Sequence, residues 1–341
     1  MYQTFIKNLG IGAKGYSLLY KEKKFNYFII SGKNSNYNNL INKLKKNSNI
    51  KVGNIKLGKN RNSIDHINKI SDIVNTKKVD KIIVVGGGSI IDFSKRVLLN
   101  LKNKKIKLWF LPSVLGSGAE TSISSIINEN FKKNIITNRN FLPDTIIYDQ
   151  ELTKGISNEK KILGILDSIT HCIESLTTIN GNYYLEFLSV MTVKSFVKKY
   201  SLKKIFNNEV DFNDQALLSF NGGLAQSNAG SGICHALAHA AEQITGENHA
   251  KCISYFLYPT LLYLNKNNKE VSNKLNIETI KYIKKILILF KKKYNFKTID
   301  KIFMNNKIDI LLDLAQKDLC WRLYRKNIDI KFLRKCLNER Y

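Results

Sequence analysis

Histidine is scarce in this 341-residue chain, which holds five, and proline and tryptophan are scarcer, at three and two. The five cysteines (Cys172, Cys234, Cys252, Cys320, Cys336) have no CxxC spacing, which argues against a disulfide framework and against a thiolate zinc knuckle. No apolar run approaches the ~18 residues of a membrane span, and the opening MYQTFIKNLG lacks the apolar core of a signal peptide. These absences predict a soluble, cytoplasmic protein with no membrane partner. Acidic residues are also in deficit, 27 Asp and Glu against 55 Lys and Arg, a formal charge of +28. Such a charge invites a nucleic-acid reading. The lysines, however, are scattered among asparagines and isoleucines along the whole chain, with no arginine-rich tail, RNA-binding signature or zinc-finger spacing. The expectation is no nucleic-acid partner, and a positive field that attracts anionic small molecules.

The first part of the chain alternates short β-branched runs with amphipathic segments. FNYFIIS reads as a strand and NNLINKLKK as a helix; NIKVGNIKLG is a second strand and SIDHINKISDIVNTKK a helix with apolar residues at i, i+3, i+4 and i+7. DKIIVVGGGSIIDFSKRVLLNL then gives strand, glycine turn and helix, and IKLWFLPS a further strand. This alternation predicts an α/β domain with a parallel, doubly wound sheet over residues 1–150. From 151 to 341 the long segments all carry helical periodicity, which predicts an all-α domain.

Two glycine turns stand out. VVGGGSIID places Gly86, Gly87, Gly88 and Ser89 between a buried strand and a helix, where glycines let backbone pass close to a phosphate and the helix start offers free N–H groups to it. It is not the GxGxxG fingerprint, and alone it reads equally well as a tight turn without a ligand. Asp92 and Lys95 follow at i, i+3. A second turn, PSVLGSGAETS, brings Ser113 and Ser117 to the end of the next strand. Two such turns at the carboxyl ends of neighbouring parallel strands point to a nucleotide crevice.

Three of the five histidines fall within HALAHAAEQITGENH. His235 and His239 lie four apart, on one helical face; Gly246 and Asn248 then break the helix, so that His249 can fold back toward it. Upstream, Asp167 and His171 are again four apart. Each pair alone is an ordinary helix contact. Together they offer one carboxylate and up to four imidazoles, a nitrogen and oxygen donor set suited to Fe(II), Zn, Mn or Co. His66, in an amphipathic helix, reads as structural.

The segments GGGSIID..K, LPSVLGSGAE, DSITH and GSGICHALAH……NH stand in the order and approximate spacing of the iron-containing (group III) alcohol dehydrogenases. The resemblance runs from GIGAKG near the start to about Leu262. It implies a dehydroquinate synthase-like fold, in which a nucleotide domain faces a helical domain across a cleft that holds the metal. Carried over by position, Asp167, His171, His235 and His249 resemble the four ligands of Fe(II), with Zn as the alternative. His239 resembles the family's non-ligand histidine on the proton path, so that the catalytic set is Asp167 and His239. Gly86, Gly87, Gly88, Ser89 and Asp92 resemble the pyrophosphate-binding turn, and Ser113 and Ser117 the hydroxyl residues beside the nicotinamide. The activity implied is hydride transfer between NAD(P)(H) and an alcohol or aldehyde, in a homodimer or larger oligomer.

The chain also departs from the pattern. Ala250 follows the last histidine where the family tends to have glycine, and AHAAEQ replaces a proline and glycine after the second. Both fall at the substrate pocket. After the first strand, SGKNSN, with Ser31 and Lys33, stands where NAD-preferring members resemble an aspartate-bearing turn. With no carboxylate to repel a 2′-phosphate, NADP(H) is expected over NAD(H). HCIESLTTINGNYY is similar to members acting on sugar acids, and phosphonate aldehydes are a second class; the positive chain suits either anion. Three rivals remain: a dehydroquinate-synthase-like sugar carbocycle synthase using NAD and a metal, a glycerol dehydrogenase, whose ligand spacing looks different, and a non-catalytic basic metal-binding protein. Asp167 in place of a glutamate, and the fourteen-residue step from His235 to His249, favour the dehydrogenase.

Overall fold

The computed structural model describes residues 6–12, 26–33, 36–46, 53–57, 64–103, 105–129, 132–267, 269–296 and 307–339. Parts of the first two strand readings (Phe25, 49–52 and Gly58), and the second half of GIGAKG, lie outside these. The chain divides into two compact units, Met1–Ile156 and Ser157–Tyr341.

The N-terminal unit is built on strands β1 (Asn8–Gly12), β2 (Tyr27–Gly32), β3 (Gly53–Leu57), β4 (Lys81–Gly86), β5 (Lys107–Pro112) and, later in the chain, the strand Thr145–Asp149. Between β5 and that last strand lies a hairpin of β6 (Ser124–Glu129) and β7 (Lys132–Thr137), antiparallel and separate from the main sheet, which makes Thr145–Asp149 β8. The hairpin was not foreseen from the sequence. The main sheet runs β1-β8-β5-β4-β2-β3, every pairing parallel, as the β/α alternation predicted. Helices α1 (Asn36–Lys46), α2 (Ile64–Asn75), α3 (Gly88–Leu99) and the short α4 (Gln150–Thr153) complete the unit.

Successive strand residues serve opposite faces. Phe28, Ile30, Ile82, Val84 and Phe110 join one core with Ile67, Ile70, Ile90 and Phe93 of α2 and α3. Tyr27, Ile29, Ile83, Val85, Trp109 and Leu111 join the other with Tyr37, Leu40 and Ile41 of α1. Burial on both faces is why the strands read as continuous apolar runs rather than as alternation. The chain steps outward from β2 to β3 and then returns to place β4 on the other side of β2. The carboxyl ends of β2 and β4 thus flank the point where strand order reverses, the usual ligand crevice of such sheets.

The C-terminal unit contains α5 (Asn158–Ser175), α6 (Tyr183–Lys199), α7 (Leu202–Phe206), α8 (Phe212–Ala229), α9 (Ile233–Thr245), α10 (His249–Asn267), α11 (Lys269–Tyr294), α12 (Lys307–Lys317), α13 (Leu319–Leu323) and α14 (Ile330–Asn338). The run DQALLSFNGGLAQSNAGSGICHALAHAAEQI, helical throughout in pattern, is broken at Gly230, which takes φ 83° and turns the chain from α8 into α9. One apolar core joins α5, α9 and α10 through residues such as Leu166, Ile169, Leu237, Phe256 and Leu261. No helix of the described residues is long and apolar enough to cross a membrane.

α5 packs most closely on α8, and Gly222 permits this: a Cβ there would lie 2.7 Å from the Ser168 carbonyl oxygen. Gly→Ala in a helix normally gains up to about 1 kcal/mol. Because the obstacle is backbone, Gly222→Ala is expected instead to destabilise by about 1–3 kcal/mol. The measurement is a lower denaturation midpoint at unchanged m-value; an unchanged or higher midpoint contradicts the close approach.

Candidate functional site

In the N-terminal unit the two glycine turns form one structure. β4 ends at Gly86, Gly87 is the N-cap of α3 with no side-chain capping bond, and Gly88 is the first helical residue. A side chain at Gly86 is barred because its Cβ would meet the Ile90 Cβ at 2.7 Å, and one at Gly88 would meet Ser117 Oγ at 2.9 Å. The second turn is thus seated against the first. Ser113 N donates to Gly86 O at 3.0 Å, and the Tyr37 hydroxyl, reaching over from α1, bonds Ser113 Oγ at 2.6 Å. The buried Lys95 Nζ fastens the far side of the turn, donating to the carbonyls of Ala119, Ser122 and Ser124 at 2.6, 2.8 and 2.7 Å. Asp92 Oδ1 lies 3.6 Å from that ammonium; burial lifts the Asp92 carboxyl to about 6 despite it. These bonds make Lys95 a support of the turn, with Asp92 beside it. Ser89 is exposed at the helix start. At the end of β2, Ser31 is fully buried with its Oγ unpartnered among the described residues, and Lys33 is exposed.

In the C-terminal unit, α5 carries Asp167 and His171 on one face, and both are buried. Asp167 Oδ1 stands 3.6 Å from His171 Nε2 and 3.6 Å from His235 Nε2. That is beyond hydrogen-bond reach, and none of the three atoms has a hydrogen-bond partner among the described residues. The His171 and His235 rings stack at 4.7 Å between centroids, and the His249 ring is 5.5 Å from that of His235. Ligand atoms of Asp167, His235 and His249 lie within 4.8 Å of one another. Buried polar atoms left unpaired cost about 1–3 kcal/mol each, and here they converge. One carboxylate and three imidazoles form a hard-to-borderline donor set that fits a divalent ion. His171 and Asp167 are also in suitable protonation states. Burial pushes His171 down to about 3, so that the ring is neutral and one of its nitrogens carries a lone pair for a ligand bond. Burial alone would raise Asp167, but the neighbouring histidines, His171 first, hold it at about 2.

Three carboxylates that the sequence reading did not single out hold the histidines from behind. Glu174, buried on α5, accepts His235 Nδ1 at 2.5 Å and the backbone N–H groups of Gly232, Cys234 and His235 at 2.8, 2.6 and 3.3 Å. It thereby caps α9, whose own N-cap is Gly232, and with Asp167 it lifts the His235 imidazole to about 10 against the opposing effect of burial. Glu242 bonds His249 Nδ1 at 2.5 Å, and Asp318 bonds His239 Nδ1 at 2.9 Å. Glu174 lies at i+7 from Asp167 and i+3 from His171, a spacing that places it on the same helical face. Asp318 has no such signal: it lies 79 residues from His239. His239 shares its helix face with His235, yet its ring is held by a different carboxylate, and its centroid is 6.0 Å from that of His235 and 5.4 Å from that of His249. His239, Asp318 and Cys320 also bring ligand atoms within 4.8 Å of one another. His66 packs edge-on against Phe93 at 5.5 Å, and Cys172 and Cys234 are buried thiols whose burial raises their pKa.

The doubly wound parallel sheet with a glycine turn at its switch point, and the helical unit with its nitrogen and oxygen donor cluster, are each matched by a known family model. The chain belongs to the iron-containing alcohol dehydrogenase family: the model "Iron-containing alcohol dehydrogenase" matches residues 13–150 and "Fe-containing alcohol dehydrogenase family, C-terminal" matches 161–319. Among characterised sequences, EutG of Escherichia coli K12, named a probable alcohol dehydrogenase, is 26% identical over 205 residues, covering 55% of this chain and 52% of EutG. The chain thus spans about half the length of this curated relative. Among solved structures, an alcohol dehydrogenase from Oenococcus oeni superposes with TM-score 0.83 at 17% identity, covering all of both chains. A sulfoacetaldehyde reductase from Bifidobacterium kashiwanohense, in complex with NAD+, gives 0.83 at 16%, covering 99% of this chain and 98% of that one. At these identities the superpositions establish the fold.

Proposed function

We propose that this protein is a metal-dependent aldehyde reductase and alcohol dehydrogenase that transfers a hydride between NADP(H), in preference to NAD(H), and a polar, anionic aldehyde or alcohol. The observation that carries this reading is the convergence of buried, unpartnered Asp167 Oδ1, His171 Nε2 and His235 Nε2 beside His249. Asp167, His171, His235 and His249 would hold Fe(II), or Zn in its place. Bound there, the ion supplies Lewis acidity to the substrate oxygen and the nicotinamide supplies the hydride. Gly86, Gly87, Gly88 and Ser89 offer the pyrophosphate backbone N–H groups and the positive end of α3. Ser113 and Ser117 would meet the nicotinamide half. Glu174 and Glu242 fix which nitrogen of His235 and His249 is presented. In reduction the carbonyl carbon gains a hydride and its oxygen a proton, and His239 Nε2 is the group on this chain that delivers that proton.

The cofactor preference is supported by the end of β2, where Ser31 and Lys33 bring no carboxylate against a 2′-phosphate. The anionic substrate is supported by the +28 formal charge. It is also in keeping with the Bifidobacterium protein of the same fold, whose named substrate is a sulfonated aldehyde. The test is reductase activity with sugar-acid, phosphonate and sulfonate aldehydes. Chelation should abolish it, Fe(II) should restore it, and NADPH should give the higher kcat/KM. Activity that survives metal removal sinks the reading, and a higher kcat/KM with NADH sinks its cofactor clause.

A further inference from the structure

The histidine that the donor set does not need is anchored in the same manner as two of those it does. His235 and His249 turn Nδ1 to Glu174 and Glu242, the usual arrangement for a ligand whose other nitrogen faces a metal. His239 turns Nδ1 to Asp318 at 2.9 Å in the same way. Asp318 is itself fixed. Its Oδ1 accepts Cys320 N at 2.8 Å as the N-cap of α13, and its N–H bonds Ala315 O at 3.1 Å at the end of α12. Beyond α13 the chain is fastened to the loop after α5: Ile179 N donates to Leu323 O at 2.8 Å, Arg325 N to Thr177 O at 3.0 Å, and the Arg325 guanidinium to Thr178 O at 3.0 Å. The lysine-rich C-terminal region, which carries no motif legible in the sequence, thus delivers one carboxylate to one histidine.

We propose that Asp318 is the positioning residue of His239: its carboxylate takes the Nδ1–H, and so makes Nε2 the nitrogen that exchanges a proton with the substrate oxygen. This rests on the role given to His239 above. The balance is simple. The aldehyde C=O π bond breaks as a hydride from the reduced nicotinamide forms the C–H bond, and the oxygen takes the Nε2 proton of an imidazolium. The ring is left neutral, still donating Nδ1–H to Asp318, and regains at Nε2 the one solvent proton that the overall reduction consumes. Asp318 stabilises the charged ring before transfer and selects the tautomer after it. An ionised partner is what this needs. Burial alone would raise the Asp318 carboxyl, but the bonds from His239 and Cys320 hold it at about 2.

Asp318→Asn separates this role from a structural one. The amide oxygen keeps the cap on Cys320, while the NH2 then faces His239 and donates to Nδ1, forcing the proton onto Nε2. With five histidines, long-range 1H–15N spectra of the Zn(II)-loaded, 15N-histidine protein can be assigned using His239→Asn. Wild type should show His239 protonated at Nδ1, and Asp318→Asn should move that proton to Nε2. In kinetics, Asp318→Asn and Asp318→Ala should each lower kcat roughly 100-fold, with the cofactor KM unchanged. Adding Asp318→Ala to His239→Asn should lower it no further. An unchanged tautomer, or an additive loss in the double variant, overturns the proposal. If the wild type reduces no aldehyde at all, the functional reading has failed, while the tautomer still decides whether Asp318 holds His239.

Discussion

Asp167→Asn should yield a folded protein that binds no stoichiometric divalent metal and retains about a thousandth of the wild-type rate. Asp167 is the sole carboxylate of the proposed ligand set, and its Oδ1 lies 3.6 Å from both His171 Nε2 and His235 Nε2. Replacing it with an amide preserves volume but removes the negative charge that favours a divalent ion over water. Lewis-acid stabilisation of the reacting oxygen contributes several kcal/mol, and at about 1.4 kcal/mol per factor of ten its loss gives roughly a thousandfold. Stability should fall only moderately: no cavity opens and Glu174 still faces the buried His235, but that imidazole loses one of its two counter-charges. Metal content by elemental analysis, with kcat/KM and a thermal melt, checks all three. Full metal occupancy in this variant would remove Asp167 from the ligand set.

Glu174→Ala should have the largest effect on the fold itself. Glu174 is 1% exposed and accepts four donors. Without it the first turn of α9 loses its cap and the buried His235 loses its counter-charge. Breaking a buried charged pair costs about 3–5 kcal/mol, which for a unit of this size is a Tm lower by roughly 10 °C. The metal should bind about 10–100-fold more weakly as well, since the carboxylate orients its ligand. Glu174→Gln keeps most of the backbone bonds and should recover much of the stability but less of the affinity. Loss of stability with unchanged metal affinity would reduce Glu174 to a helix cap.

The fold was legible where one physical rule acted alone. Buried parallel strands demand continuous apolar runs, and IIVV and LWFL supplied them between helical periods. The β6–β7 hairpin escaped because its residues, SSIINE and KKNIIT, alternate too weakly to mark two strands. The candidate site was legible on single helices. Asp167 with His171, and His235 with His239, announce shared faces by spacing alone. Spacing could not say that His235 and His239, four apart on one face, answer to different carboxylates, Glu174 and Asp318. Nor could it separate Glu174 from the many acidic residues that sit on helices without a task. The distinction lies in tertiary packing, in which the α5 face and the α12–α13 junction both meet α9.

The most direct test follows the hydride. Fe(II)-loaded, anaerobic protein would be given NADPH deuterated on the transferring face of the nicotinamide, with the anionic aldehyde panel. The account predicts one deuterium on the carbinol carbon of the product, and none once a chelator has stripped the metal. Cofactor bound tightly but never oxidised by any aldehyde, or product formed without the label, would contradict it.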